Sequence, residues 1–172
     1  RRSKWFKYME KECKNVRENV GLLDMTAFAK CRIKGPKAEE FLNKLVANKL
    51  PKKIGRINLC HALNTKGGVH SEFTIMRESE DSFYLVSAGA FQRLDHDWIH
   101  KWMPRNGSAQ FENLTNSIGV LVVSGPKART LMQKLSKTDF SNDKFKWLSA
   151  QNINIGLAPC NAMRVNFVGE LG

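Results

Sequence analysis

One short pattern occurs twice in the chain, ninety residues apart, and it limits the folds that the chain can adopt. Residues 33–38 read Ile-Lys-Gly-Pro-Lys-Ala, and residues 123–128 read Val-Ser-Gly-Pro-Lys-Ala. The pairs Lys44-Leu45 and Lys134-Leu135 continue the match in the same register. In each copy an apolar segment is followed by a glycine–proline break and then by apolar residues at helical spacing. The repeat predicts two similar strand–helix units in two α+β lobes.

Hydrophobic periodicity predicts the remaining elements. Apolar residues at three- and four-residue steps predict a first helix from about Trp5 to Val20, ended by Gly21. The residues Asn64–Gly68 lie between two strand-like segments and predict a β-hairpin. We also expect an extended segment at Gly21–Thr26, strands at Ala29–Lys34, Ile57–Leu63, Val69–Met76, Ser82–Ser87, Ile118–Val123 and Ala162–Val168, and a helix at Ala90–Trp102. The pattern predicts an α+β fold with antiparallel or mixed sheets and flanking helices, not a parallel doubly wound sheet.

The composition argues against several classes of protein. A length of 172 residues fits one domain or two small packed lobes. The sequence has no run of eighteen apolar residues, so we expect no membrane-spanning segment. The four cysteines lack the C-x-x-C spacing of zinc ribbons and redox pairs, and we interpret them as buried, reduced thiols. We therefore expect no metal site.

The net charge of +12 allows more than one interpretation. The lysines are spread along the whole chain rather than grouped in a block, which is typical of a solvated basic surface. Such a positive field also attracts a small polyanion, for example a polyglutamylated cofactor. We expect no nucleic-acid partner, and a basic nucleic-acid-binding module is kept as the alternative from a different functional class. Steep salt dependence of binding would favour that alternative.

Few residues stand out as candidates for chemistry. The sequence contains neither a dinucleotide fingerprint nor a P-loop. His96 and His100 lie four residues apart, but they lack the glutamate and third ligand of a zinc helix, so we expect a surface pair. Glu72 is the one acid in an apolar strand, where it is either a desolvated proton acceptor or a solvent-facing residue of the polar face. Glu170 lies between two glycines and is a second, weaker candidate.

Several segments, taken together, resemble the folate-binding aminomethyltransferase family. This family includes the glycine-cleavage T-protein and the carboxy-terminal halves of dimethylglycine and sarcosine dehydrogenases. The segments occur in the family's order and cover nearly the whole chain: Val20–Thr26, Leu63–Gly68, Tyr84–Gly89, Leu121–Ala128 and Arg164–Gly172. The stretch from Phe140 to Leu148 looks closest to dimethylglycine dehydrogenase.

The resemblance implies part of a three-lobed cloverleaf that binds folate in a central cavity. Residues 1–172 are expected to be the first part of this domain, with its carboxy-terminal portion outside the chain. Glu72 falls at the position of the family's key aspartate, close to the folate nitrogens that carry the one-carbon unit. The implied folate-binding residues are the pterin-edge acid Glu170 and four cavity-wall residues, namely Tyr84, Val86, Phe28 and Leu59.

The implied function is tetrahydrofolate-dependent transfer of an aminomethyl or methylene unit in a dimethylglycine or sarcosine dehydrogenase-like protein. The expected partners are tetrahydrofolate, a methylated amine or imine, and an upstream flavin domain that would hold FAD. Alternatives are a free-standing T-protein, a tetrahydrofolate-dependent demethylase and a non-catalytic folate-binding protein. The location would be the bacterial cytoplasm or the mitochondrial matrix. We expect residues 1–172 alone to have little or no transferase activity.

Overall fold

The computed structural model describes residues 2–172, which form two compact units. The continuous unit contains residues 26–120, and the discontinuous unit contains residues 2–25 and 121–172. In chain order the helices and strands are α1 (Phe6–Glu18), β1 (Gly21–Asp24), β2 (Ala29–Lys34), α2 (Ala38–Leu45), β3 (Ile57–Leu63), β4 (Val69–Arg77), β5 (Ser82–Ser87), α3 (Gln92–Trp102), β6 (Gln110–Asn113), β7 (Leu121–Ser124), α4 (Ala128–Leu135), β8 (Ser149–Ile155) and β9 (Ala158–Arg164). A 3₁₀ turn at Gly89–Phe91 precedes α3.

The continuous unit is built on a five-stranded sheet in the order β3-β4-β5-β2-β6. Every neighbouring pair of strands in this sheet is antiparallel. One face of the sheet packs against α2 and α3 and forms the main hydrophobic core. The core includes Phe73, Ile75 and Leu85 from the strands, Leu42 from α2 and Ile99 from α3. Burial of each such side chain contributes about 1.5–3 kcal/mol.

The discontinuous unit contains two smaller sheets. Strands β1 and β7 pair antiparallel, with Gly21 opposite Ser124, although they are about a hundred residues apart in sequence. Strands β8 and β9 form an antiparallel hairpin. A small core beside this hairpin contains Phe140, Phe145 and Ile153. The antiparallel sheets and helices confirm the predicted α+β class.

The predicted repeat is confirmed, with one copy in each unit. Gly35 and Gly125 both have a φ of 125°, a conformation that favours glycine. In both copies the helix begins three residues after the glycine. The N–H of its first residue donates to the glycine carbonyl at a distance of 2.9 Å. Lys37 N–H donates to Ser108 O, and Lys127 N–H donates to Asn19 O in the matching position. The glycine–proline sequence therefore produces the same strand-to-helix turn twice.

Several expected boundaries were wrong. Gly21 does not end α1, which stops at Glu18; it is instead the first residue of β1, packed closely on Val16. The strand expected at Ile118–Val123 begins only at Leu121, and the strand expected at Ala162–Val168 ends at Arg164. Neither β6, which has only four residues, nor β8 was predicted from the sequence, although residues 152–155 of β8 alternate between asparagine and isoleucine. In the part of the chain that the structure describes, no helix is long and apolar enough to cross a membrane.

Candidate functional site

Four of the predicted site residues lie on one face of the five-stranded sheet. Leu59, Thr74 and Val86 are aligned across β3, β4 and β5, and Met76 is aligned with Tyr84 in the next row. Glu72 lies two residues before Thr74 on β4 and therefore points to the same side. Residues paired across a sheet share a face, so Glu72, Leu59, Val86 and Tyr84 form one surface, called here the Glu72 face.

The Glu72 face is the side of the sheet opposite the main core. The alternate strand residues Cys60, Phe73 and Ile75 point the other way and are buried in that core. Leu59 is 50% exposed, which is unusual for a leucine in the middle of a strand. The face therefore presents aliphatic surface to solvent beside a carboxylate, on strands that the core holds in place.

The structure decides between the two interpretations of Glu72. Its side chain is 56% exposed, and its Oε2 lies 2.9 Å from His61 Nε2. Its apolar neighbours Phe73 and Ile75 face the core instead. Strand alternation separates these two side chains from the carboxylate, so Glu72 is the solvent-facing residue of the polar face. Its catalytic role stays a prediction.

His61 is held from both sides, a feature that the sequence did not reveal. Asn48 Oδ1 accepts the His61 backbone N–H at 2.8 Å and lies 3.3 Å from the ring nitrogen Nδ1. The other ring nitrogen faces Glu72. His61 was not among the residues singled out from the sequence. Counting the hairpin register from its turn would place Ser71 opposite His61, because the register shift between Ala62 and Leu63 is what brings Glu72 opposite it.

Tyr84 and Phe28 are less accessible than Glu72. Tyr84 is 7% exposed, and burial, with Glu78 and Cys31 contributing and Arg32 opposing, raises the pKa of its hydroxyl to about 12. The phenol is therefore neutral at physiological pH and can still donate a hydrogen bond. Phe28 is half-buried in the segment before β2.

Lys30 is a residue at this face that sequence reasoning missed. It is fully buried and is aligned with Val86 across β2 and β5. Its Nζ donates to the carbonyl oxygens of Thr26 at 2.7 Å and Phe28 at 2.8 Å. Apolar and basic residues alternate along β2, and a lysine in such a strand is ordinarily exposed. Lys30 is buried instead, and its ammonium group binds the backbone segment that carries Phe28.

Glu170 belongs to the discontinuous unit. Its Oε1 accepts the backbone N–H of Phe167 at 2.8 Å, and its Oε2 accepts that of Val168 at 2.7 Å. Partial burial opposes ionisation, but these backbone donors together with its own N–H lower the pKa of the carboxyl. An open cleft of about 270 Å³ surrounds this turn, lined by residues including Trp147, Arg164 and Glu170.

The histidine pair on α3 is only partly the surface pair that the sequence predicted. His100 is exposed, but His96 is half-buried and its Nε2 is buried without a hydrogen-bond partner. Both rings pack edge-on against Phe111. Burial, followed by the charge of His100, lowers the pKa of His96, with Asp95 and Asp97 opposing. Within residues 2–172, no group of three or more His, Cys, Asp or Glu side chains is placed to hold a metal ion.

The cysteines are more varied than expected. Cys31 and Cys60 are buried, Cys160 is half-buried and Cys13 is exposed on α1, and all four are free thiols. The expectation of buried, reduced thiols is therefore confirmed for two positions and wrong for Cys13.

Comparison with curated proteins gives relatives along the whole chain. Mitochondrial dimethylglycine dehydrogenase of Mus musculus is 38% identical over 173 residues, covering 100% of this chain and 20% of the relative. Aminomethyltransferase of Thermoanaerobacter sp. (strain X514) is 32% identical, covering 97% of this chain and 45% of the relative. The chain thus spans about a fifth of the length of the dimethylglycine dehydrogenase it matches.

Comparison with solved structures supports the fold. The glycine cleavage system aminomethyltransferase T of Bartonella henselae matches with a TM-score of 0.75 at 21% identity, covering 94% of this chain and 42% of that one. The family model described as GCVT N-terminal domain matches residues 1–172. The resemblance drawn from the sequence is confirmed, and the chain belongs to the GCVT N-terminal domain family.

Proposed function

We propose that this chain is the folate-binding part of an enzyme that transfers a one-carbon unit to tetrahydrofolate, as in dimethylglycine dehydrogenase-like proteins. The observation that carries the proposal is the Glu72 face. On it, a solvent-accessible carboxylate stands beside Leu59 and Val86, on strands fixed by a dense core. Rigid strands hold such groups more steadily than loops do.

The residues of this face fit a flat heterocycle with apolar surfaces and an N–H edge. Leu59 and Val86 supply aliphatic contact surface, and Glu72 supplies an acceptor for N–H groups. Glu170 also retains acceptor capacity, because its two oxygens accept the backbone N–H groups of Phe167 and Val168 and a carboxylate offers about four lone-pair sites. Bound tetrahydrofolate would supply two nitrogens, N5 and N10, that take up the one-carbon unit.

The proposed reaction gives Glu72 a defined task. When a methylene group moves from an iminium donor onto both nitrogens, each nitrogen loses one hydrogen and the released amine gains two as its ammonium form. The charge and the atoms then balance without an oxidant. Glu72 would accept a proton from a nitrogen and pass it on, and its position would orient that nitrogen. Glutamate in place of the family's aspartate moves the carboxylate by about 1 Å, so its orientation matters.

The proposal also covers the one-carbon donor, the flavin domain and the cellular location. A methylated amine, or the imine formed from it, would be the one-carbon donor. A flavin domain elsewhere in the natural protein would hold FAD and produce the imine. We place the natural protein in the mitochondrial matrix or the bacterial cytoplasm, as the relatives include a mitochondrial and a bacterial protein.

Calorimetric titration of tetrahydrofolate into the natural full-length protein tests the proposal. We expect saturable binding that weakens at least tenfold in Glu72→Ala and in Glu170→Ala, equal to about 1.4 kcal/mol. Glu40→Ala is the matched control, because Glu40 is also an ion-paired carboxylate, 50% exposed, on α2. Unchanged affinity in both variants would contradict the site assignment, and an absence of binding by the unaltered protein would contradict the function.

A further inference from the structure

Asn48, His61 and Glu72 form a chain of contacts whose donors and acceptors can be assigned from geometry. A backbone N–H is always a donor, so the Asn48 atom that faces the His61 N–H at 2.8 Å is the amide oxygen. The same oxygen faces His61 Nδ1 at 3.3 Å and can only accept. Asn48 thus contacts both the backbone and the ring of His61.

The second ring nitrogen of His61 faces Glu72. His61 Nε2 lies 2.9 Å from Glu72 Oε2, and an ionised carboxylate only accepts hydrogen bonds. Nε2 is therefore the donor in this contact.

The loop that carries Asn48 is fixed to the same sheet. Val46 forms a β-bridge with Ala62, and Ala47 N–H donates to the His61 carbonyl at 2.9 Å. Asn58 Nδ2 donates to the Lys49 carbonyl at 2.9 Å. The backbone is thus anchored on both sides of Asn48. This holds its amide oxygen beside His61 and gives the ring a defined orientation.

We propose that His61, oriented by Asn48, is a positioning residue for Glu72. It binds Oε2 of the carboxylate and leaves Oε1 to face the ligand, since Oε2 has the one hydrogen-bond partner found for Glu72 among the described residues. This inference rests on the proposed function, and it adds a residue that acts through Glu72 rather than on the ligand.

Orientation, rather than stability, is the effect of this pair. A contact as exposed as His61–Glu72 adds little to folding stability. Glutamate, however, has one more rotatable bond than aspartate, and a carboxylate displaced by about 1 Å can lose about a hundredfold in rate. A partner that holds one oxygen restricts this additional freedom.

Kinetics on the natural full-length protein provide the first test. We expect His61→Leu to lower kcat for one-carbon transfer about tenfold to a hundredfold, with less than a threefold change in tetrahydrofolate affinity. His61→Gln keeps an N–H donor near the position of Nε2 and should recover most of the rate. Asn48→Ala should give an intermediate loss. Glu40→Gln, in the exposed Lys44 pair of α2, is the control that should change nothing.

The hydrogen bond at His61 Nε2 gives a test that does not depend on turnover. In ¹⁵N spectra of the histidine-labelled protein, Nε2 of His61 should resonate as a hydrogen-bearing ring nitrogen, and Glu72→Gln should shift this resonance. A His61 ring without a hydrogen on Nε2, or full activity in His61→Leu while Glu72→Gln is impaired, would overturn the inference alone. An absence of tetrahydrofolate binding by the unaltered protein would overturn the proposed function instead.

Discussion

Helices α2 and α4 have the same length and follow the same glycine–proline turn, yet they differ in how much of their apolar face is covered. In α2 the four residues Ala38, Phe41, Leu42 and Leu45 are all buried. In α4 the matching positions are Ala128, Leu131, Met132 and Leu135, and of these only Ala128 is buried. Leu135 is 45% exposed.

The difference teaches that the turn and the helix are locally encoded, whereas their stability depends on what lies against them. The continuous unit places α2 on a five-stranded sheet, and the discontinuous unit offers a two-stranded pair and a hairpin. The discontinuous unit also exposes large apolar side chains, including Leu22, Leu121 and Leu157. The Glu72 face thus belongs to the better-packed unit.

The largest expected effect comes from truncating matched positions of the two helices. Leu42→Ala should lower the free energy of unfolding by about 3–5 kcal/mol, because it leaves a cavity in the main core. Met132→Ala, at the equivalent position of α4, should cost about 1–2 kcal/mol, since that side chain is only partly buried. Urea unfolding followed by hydrogen exchange in each helix measures both. Equal losses of unfolding free energy in the two variants would contradict the difference in packing between α2 and α4.

A second pair of variants tests the equivalence of the two turns. A Cβ at Gly35 would lie 2.7 Å from Ser108 O, and a Cβ at Gly125 would lie 2.6 Å from Asn19 O. With the positive φ as well, Gly35→Ala and Gly125→Ala should each destabilise their unit by about 2–3 kcal/mol. Thermal unfolding of both variants checks this, with Gly67→Ala, which has open space around it, as the milder control. An unchanged thermal unfolding of Gly125→Ala would contradict the equivalence of the turns at Gly35 and Gly125.

Two lysines, one buried and one exposed, allow the stability contribution of their hydrogen bonds to be compared. Lys30→Met removes the donor to the Thr26 and Phe28 carbonyls and should cost about 1–3 kcal/mol, with weaker tetrahydrofolate binding as Phe28 shifts. Lys127→Met removes an exposed bond to Asn19 and should cost less than about 0.5 kcal/mol. Chemical denaturation and calorimetry measure the two effects. Normal folate binding in Lys30→Met would show that Phe28 does not line the site.

The smallest effect is a pH dependence in the discontinuous unit. The folded-state pKa of Glu170 lies below the ordinary value, so its ionised form stabilises the turn above the ordinary glutamate pKa of about 4.3. This contribution is lost as the pH falls through the lower, folded-state pKa. Trp147 lines the same cleft, so fluorescence of a variant that retains Trp147 as its single tryptophan should change in that acidic range. Glu170→Gln should abolish the change.

The sequence by itself determined the elements whose information is local. The glycine–proline turns, helices α2 and α4, and the hairpin around Asn64–Gly68 follow from residue types a few positions apart. Such patterns are readable because period-two and helical spacing fix which side of an element each residue faces. The family resemblance, not a local pattern, made Leu59, Val86 and Tyr84 candidates, and the register of the strands then placed them on one face.

Only the tertiary structure decided which elements meet. Strand β1 pairs with β7 across about a hundred residues, and β6 joins the sheet beside β2, although neither pairing has a local signal. The same holds for the buried Lys30 and for the contact of His61 with Asn48. A side chain's burial and its hydrogen-bond partners depend on distant segments, and the free energy of those contacts is set by packing rather than by local propensity.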